Sequence, residues 1–191
     1  MLTCRGCQVQ DEESLVRRAQ QNDEQALSRL YEEYFERVYR YVVVRVGNRF
    51  DAEDITSQVF VKVVQSLPSY KLRGVPFSAW LFRIARNQVI DHVRKHSVKI
   101  ETAWIEPSAV SQEDPTKQAE LNIAIDELVK ALVLLTRAQR EVIEFRFIAE
   151  LSIAETANIM GKSEGAVKAL QYSALVALRK HLSDKDDDRE I

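Results

Sequence analysis

Glycine and proline are scarce in this chain, five and four in 191 residues. Long stretches run without either, which argues against a turn-rich β fold and favours helices. Cysteine is nearly absent. Cys4 and Cys7 are too few for a disulfide framework. No apolar run approaches the roughly 20 residues that span a bilayer, so no membrane insertion is expected. The start, MLTCRGCQVQDEE, carries no apolar signal core, and a cytoplasmic location is expected. There is no P-loop pattern and no nucleophile–base pairing, so neither an enzymatic activity nor a cofactor is expected. Excess positive charge is also missing: 27 Lys and Arg stand against 29 Asp and Glu, a formal net charge of -2.

What is present is helical periodicity in two blocks. Residues 1–10 read as an unstructured tail, and residues 11–97 as a first helical domain. In it, Tyr31, Tyr34, Phe35, Val38, Tyr41 and Val42 follow the 3-4 spacing of one apolar helix face. Gly47-Asn48 ends that helix. Asp51 is placed to cap the next, with Glu53 and Asp54 in its first turn, and Ile55, Val59, Val63 and Leu67 line its apolar side. Pro68 stops it. A further helix starts near Trp80 and runs to about residue 96. Residues 98–119 hold two prolines and several acids without periodicity, and read as a flexible linker in which Trp104 and Ile105 could dock. Residues 120–182 form a second, smaller helical domain. Residues 183–191 are a charged tail. The fold class is all-α: two helical domains joined by a linker.

The second domain has the outline of a helix-turn-helix. Thr136 with Gln139, and Ser152 with Glu155, have capping-box spacing. Ser163 can cap the last helix, Gly161 suits the tight turn, and Ala157 is small where two helices must cross. Val167, Leu170, Ala174 and Leu178 make the buried stripe. Glu164, Lys168, Gln171 and Tyr172 are left on other faces, free to meet base edges or phosphates. A plain helical hairpin explains such a pair less well, because two caps, a turn glycine and a small crossing residue coincide.

Net charge conceals segregation. Between residues 83 and 99, Arg83, Arg86, Arg94, Lys95 and Lys99 stand against Asp91 alone. A local basic strip is enough for phosphate contact. Taken alone, such a run is more often a solvated helix face. Tyr70, Phe77, Trp80 and Phe82 stand beside it. Aromatics next to basic residues suit unstacked bases. Phe77 and Trp80 read mainly as core, and Tyr70, in a loop with Lys71, Arg73 and Gly74, as exposed.

Three segments in order carry a resemblance: DAEDITSQVFVKVVQSL, FSAWLFRIARNQVIDHVRKH, and LTRAQREVIEFRFIAELSIAETANIMGKSEGAVKALQYSALVALRKHL. Over residues 12–182 the chain resembles the extracytoplasmic-function (group IV) sigma factors of bacterial RNA polymerase. The resemblance implies sigma region 2-like and region 4-like domains, and an initiation factor that works with bacterial core RNA polymerase on promoter DNA. It implies that Asp54, Gln58, Val59 and Lys62 meet the polymerase. It implies that Tyr70, Lys71, Arg73, Trp80, Arg83, Arg86, Asn87, Arg94 and Lys95 open and read the −10 element, with Asn87 at a pocket for a flipped-out base. Ser163, Glu164, Lys168, Gln171, Tyr172 and Ser173 form the −35 set, the resemblance pointing most directly to Lys168 and Tyr172. The linker would run near the polymerase active site, and an anti-sigma factor would be a partner. Many members carry Arg at the position of Ser173 and Ser at that of Ala169, so −35 reading here should differ. The loop YKLRGVPF is also one residue longer than the commoner form.

Cys4-x-x-Cys7 with His92 and His96 permits a Cys2His2 zinc site on arithmetic alone, but an inert tail is the simpler reading; a redox role ranks between the two. His181 is a last-turn cation. Two rival functions remain: a stand-alone duplex-binding regulator, and a decoy that occupies polymerase without reading DNA. Lys168→Ala separates the decoy from the others. It should weaken promoter use several-fold for any DNA reader, measured by transcription, and leave a decoy unaffected.

Overall fold

The computed structural model describes residues 5–71, 74–97 and 130–187, with side-chain surroundings over residues 12–71, 74–95 and 130–180. Every regular element among these is a helix. In order they are α1 (Arg5–Gln20), α2 (Glu24–Val46), α3 (Arg49–Ser66), a 3-10 turn (Leu67–Ser69), α4 (Phe77–Ser97), α5 (Arg137–Ile143) prolonged by a π turn (Glu144–Ile148), α6 (Ile153–Met160) and α7 (Glu164–Asp187). The linker, Cys4, Arg73, Lys99, Trp104 and Ile105 lie outside the described residues, and only the backbone is described for Cys7, His96 and His181.

Local chemistry sets most boundaries. Asp23 starts α2 by accepting from the amides of Gln25 and Ala26. Gly47 ends it in the left-handed conformation, φ 72°, where any other residue would be strained. Asn48, not Asp51, caps α3: its side chain accepts from the amides of Phe50 and Asp51. Asp51 sits inside the first turn, where the dipole favours it. Both capping boxes of the second domain form, Thr136 with Gln139 and Ser152 with Glu155. Gly161 closes α6 at φ 63°, and the Ser163 hydroxyl accepts from Ala166 N.

Two ends run past the expected limits. Helix α1 reaches back to Arg5, into the segment read as a tail, and α7 continues to Asp187. Extending a formed helix needs only one more hydrogen bond per residue fixed, and neither stretch has a proline to stop it.

Helices α1 to α4 pack around Val16, Leu30, Val38, Tyr41, Val42, Ile55, Val59, Phe82 and Val89. The same apolar cluster continues into the second domain through Phe145, Ala149 and Leu151. Tyr41 stacks on Phe145 at 5.2 Å and meets Phe82 edge-on at 5.9 Å. A smaller cluster of Val142, Ala157 and Val167 joins α5, α6 and α7, and Ala157 is the small residue at that crossing.

One ion pair is sealed between the domains. Arg45 of α2 meets Glu144 of the π turn at 3.0 Å, and Glu144 is 1% exposed. Burial pushes the Glu144 carboxyl up to about 7, and Arg45 only partly opposes it. Arg140, Glu141 and Tyr41 share this surrounding. Because the folded value is raised, the group's contribution is complete below the usual carboxylate range and is lost as pH rises through about 7. Urea unfolding followed from about pH 5 to pH 8 should therefore show this loss in the native chain and not in Glu144→Gln. The difference between the two curves isolates Glu144 from other titrating groups. Arg45→Ala, which strands the buried carboxylate, should cost about 3–5 kcal/mol.

Candidate nucleic-acid interface and polymerase-facing surface

Helix α4 carries a stripe at helical spacing. Trp80, Arg83, Asn87, Asp91 and Arg94 recur every three or four residues. Arg83, Asn87, Arg94 and Lys95 are exposed, and Trp80 and Arg86 are half-buried. Tyr70 is not the exposed loop residue expected. It is 8% exposed, packs on Phe77 and Trp80 with centroids 5.8 and 4.8 Å away, and donates to Val75 O at 2.7 Å. Its ring has found apolar partners and its hydroxyl closes the loop, leaving no face for a base. Lys71 is exposed beside it. Burial pushes the Tyr70 hydroxyl up to about 12.

The basic strip is already engaged. Arg83 Nη2 donates to Asn158 O at 3.0 Å and to its Oδ1 at 2.7 Å. Arg86 Nη2 reaches Glu141 at 3.0 and 3.3 Å. Helix α2 supplies the rest: Arg37 donates to Ala149 O and Glu150 O, and Arg40 pairs with Glu150 at 2.8 Å. Ser78 donates to Glu155. Arginines of the first domain thus face carboxylates and carbonyls of the second. Glu155 is held below its usual range by hydrogen bonds from Ser152 and Ser78, which outweigh the opposing effect of burial.

On α3, Asp54, Gln58 and Lys62 are exposed, with Gln58 donating to Asp54 at 2.6 Å. Val59 is 0% exposed and belongs to the core, so it makes no outer contact in this conformation. The apolar residues that do face outward are Phe50, Val61 at 56% and Val64 at 52%. Periodicity puts Val59 on the apolar side of this helix, and only the family resemblance assigns it to the polymerase. The signal that separates it from Val61 and Val64 is phase: Val59 shares a side with Ile55 and Val63.

On α7, Lys168, Ala169 and Tyr172 are exposed, Tyr172 at 73%. Ser163 and Glu164 are exposed at the helix start. Gln171 and Ser173 are half-buried and bonded inward. Arg146 Nε donates to Gln171 Oε1 at 3.0 Å. Gln139 Nε2 donates to Ser173 Oγ at 3.1 Å, and that hydroxyl donates to Leu170 O at 3.0 Å. Arg146 was not singled out by sequence. Its place is set by the π turn, which no periodicity announces. The reading of Gln171 as free for bases is corrected by this bond. No group of three or more metal-ligating side chains converges among the described residues.

The comparisons with known proteins fall on these same two units. Residues 30–98 match the model for Sigma-70 region 2, and residues 131–180 that for Sigma-70, region 4. The helical fold with these two regions defines a sigma-70-type factor. More narrowly, the chain belongs to the ECF RNA polymerase sigma factors, a family of initiation factors that bind RNA polymerase and direct it to promoters. It is 39% identical over 175 residues to ECF sigma factor BldN of Streptomyces coelicolor, covering 89% of this chain and 65% of that protein. It is 31% identical to SigX of Bacillus subtilis, covering 83% of this chain and 84% of that one. Among solved structures, CnrH in complex with the cytosolic domain of CnrY shares the fold, with a TM-score of 0.72 at 22% identity over 91% of this chain and 97% of that one. No helix among the described residues is long and apolar enough to cross a membrane.

Proposed function

We propose that this chain binds bacterial core RNA polymerase through the outer face of α3, opens and reads −10 DNA with α4, and reads −35 duplex with α7. The Arg83–Asn87–Arg94 stripe, exposed and headed by the half-buried Trp80, supports this most directly. It combines an aromatic face, phosphate-binding cations and an amide that can bond a base edge. Extruding a base costs a few kcal/mol, and a stripe of this composition offsets that by capture. The chemistry of nucleotide addition stays with the polymerase, and no catalytic group or cofactor is assigned to this chain.

In this conformation Arg83 and Arg86 bond the second domain, and phosphates compete for the same guanidinium groups. We infer that engagement of promoter and polymerase separates the two domains. The proposed α3 contacts are Asp54, Gln58 and Lys62, with Phe50, Val61 and Val64 supplying apolar area. An anti-sigma partner, as in the structure of RpoE with the anti-sigma factor NepR, fits a factor whose two domains close on each other. A cytoplasmic location follows from this role.

Val64→Asp should lower affinity for core polymerase by about tenfold or more without moving the unfolding midpoint, since Val64 is already half in water. Val59→Asp should instead unfold the chain. Equal core binding by Val64→Asp would remove α3 as the docking surface. Run-off transcription with core polymerase on a genomic promoter library tests the whole reading. Transcripts that need this chain and share −35 and −10 patterns are expected. Asn87→Ala should relax the −10 preference by roughly ten- to a hundredfold at one base. No core-dependent transcript would overturn the proposal.

A further inference from the structure

The outer face of α7 poses a chemical puzzle for a DNA reader. The side chains best suited to hydrogen-bond base edges are committed elsewhere. A glutamine reads adenine with both ends of its amide, the oxygen accepting from N6 and the nitrogen donating to N7. Gln171 is turned away from this role as it stands: it is half-buried, and its oxygen is oriented by the hydrogen bond it accepts from Arg146. The one proton of the Ser173 hydroxyl is given to Leu170 O, and its oxygen accepts from Gln139. Gln139 in turn belongs to the capping box that starts α5, and Arg146 also donates to Leu151 O. Both sequestrations are therefore tied into the frame of the domain.

Glu164 and Gly165 are outward at the helix start, and beyond that first turn what remains outward is Lys168, Ala169 and Tyr172. Ala169 and Tyr172 are three residues apart and share a side of the helix. Further along, Leu175 and Val176 are exposed as well. A face of this kind offers one mobile cation and a continuous apolar surface. In the major groove only one base presents an apolar group, the C5-methyl of thymine.

We propose that α7 selects its duplex site by contact of Ala169 and Tyr172 with thymine methyl groups, with Lys168 supplying a donor to a neighbouring guanine or phosphate. This rests on the −35 reading above and specifies its chemistry. Ala169 is the residue that decides. A methyl group stands where a hydroxyl would bring a donor and an acceptor to the same base pair.

The test replaces single thymines of the −35 duplex with deoxyuridine, which removes the methyl and nothing else. Full-length protein is used with core polymerase, and binding is read by competition on a promoter obtained from run-off transcription. At one or two thymines the substitution should weaken binding about fourfold, the value expected for one buried methyl. Thymines outside the protected element should be insensitive. Ala169→Ser should bind the normal duplex more weakly and lose the distinction at its thymine. The substitution is on the surface, so folding is not at risk. If every deoxyuridine duplex binds like its parent while Lys168→Ala still weakens binding, the methyl proposal is wrong and the −35 reading survives. If no −35 protection is seen at all, the −35 reading has failed instead.

Discussion

The meeting of arginines from α2 and α4 with acceptors from the second domain governs this structure. Arg37, Arg40, Arg45, Arg83 and Arg86 all point one way, and the side chains of Glu141, Glu144, Glu150 and Asn158 and three main-chain carbonyls receive them. In a chain of net charge -2, the contact is a local one: first-domain arginines laid against a patch of acceptors on the second domain. The two sets differ greatly in energetic weight. Arg40–Glu150 is open to solvent and of the class worth about 0–1 kcal/mol. Arg45–Glu144 is shut away, so removing one partner is expensive even though forming the pair gains little over apolar packing. The attraction that holds the halves together comes mainly from the apolar patch of Tyr41, Phe82, Phe145 and Leu151. The arginines fix the register in which that patch closes.

The π turn connects this interface to α7. Over Glu144–Ile148 the chain departs from α geometry, and consecutive residues fan out to different tasks. Glu144 enters the interdomain pair, Phe145 stacks on Tyr41, and Arg146 turns to Gln171. Glu150, just beyond, holds a left-handed backbone at φ 55°, unusual for a residue with a side chain. Its carbonyl and carboxylate are both held by arginines of α2. Strain of this kind persists where the surroundings over-determine it. Interdomain contact and the arrangement of α7 therefore share one short segment.

Local signals made much of this legible in sequence. The glycine stops at Gly47 and Gly161, both capping boxes of the second domain and the buried stripe at Val167 and Ala174 all follow from residue type at fixed spacing. The same rules misplaced Asp51 because Asn48 lies three residues earlier with equal capping power. They exposed Tyr70 because a loop beside Lys71 reads as wet, whereas its hydroxyl finds Val75 five residues on. Contacts across more than about a hundred residues leave no periodic trace. Nothing in the α2 pattern tells Arg37 to meet Ala149.

The candidate site shows the same limit more sharply. Sequence assigns function by residue type, and type alone makes Gln171 a better base reader than Ala169. Folding lowers Gln171 in that order, since a side chain reads a base with the donors and acceptors it has left after folding. Gln171 has given its oxygen to Arg146, and Ser173 its proton to Leu170. The same accounting applies on α4, where Arg83 and Arg86 are occupied in the closed arrangement while Asn87 and Lys95 stand exposed. The two cases differ in what releases them. The α4 arginines are held by the other domain, so parting of the domains would release them. Gln171 is held by its own domain through a segment that also carries the core residue Phe145, and it stays committed when the domains part. On the proposed reading, parting of the domains frees the α4 arginines but leaves the apolar character of the α7 face unchanged.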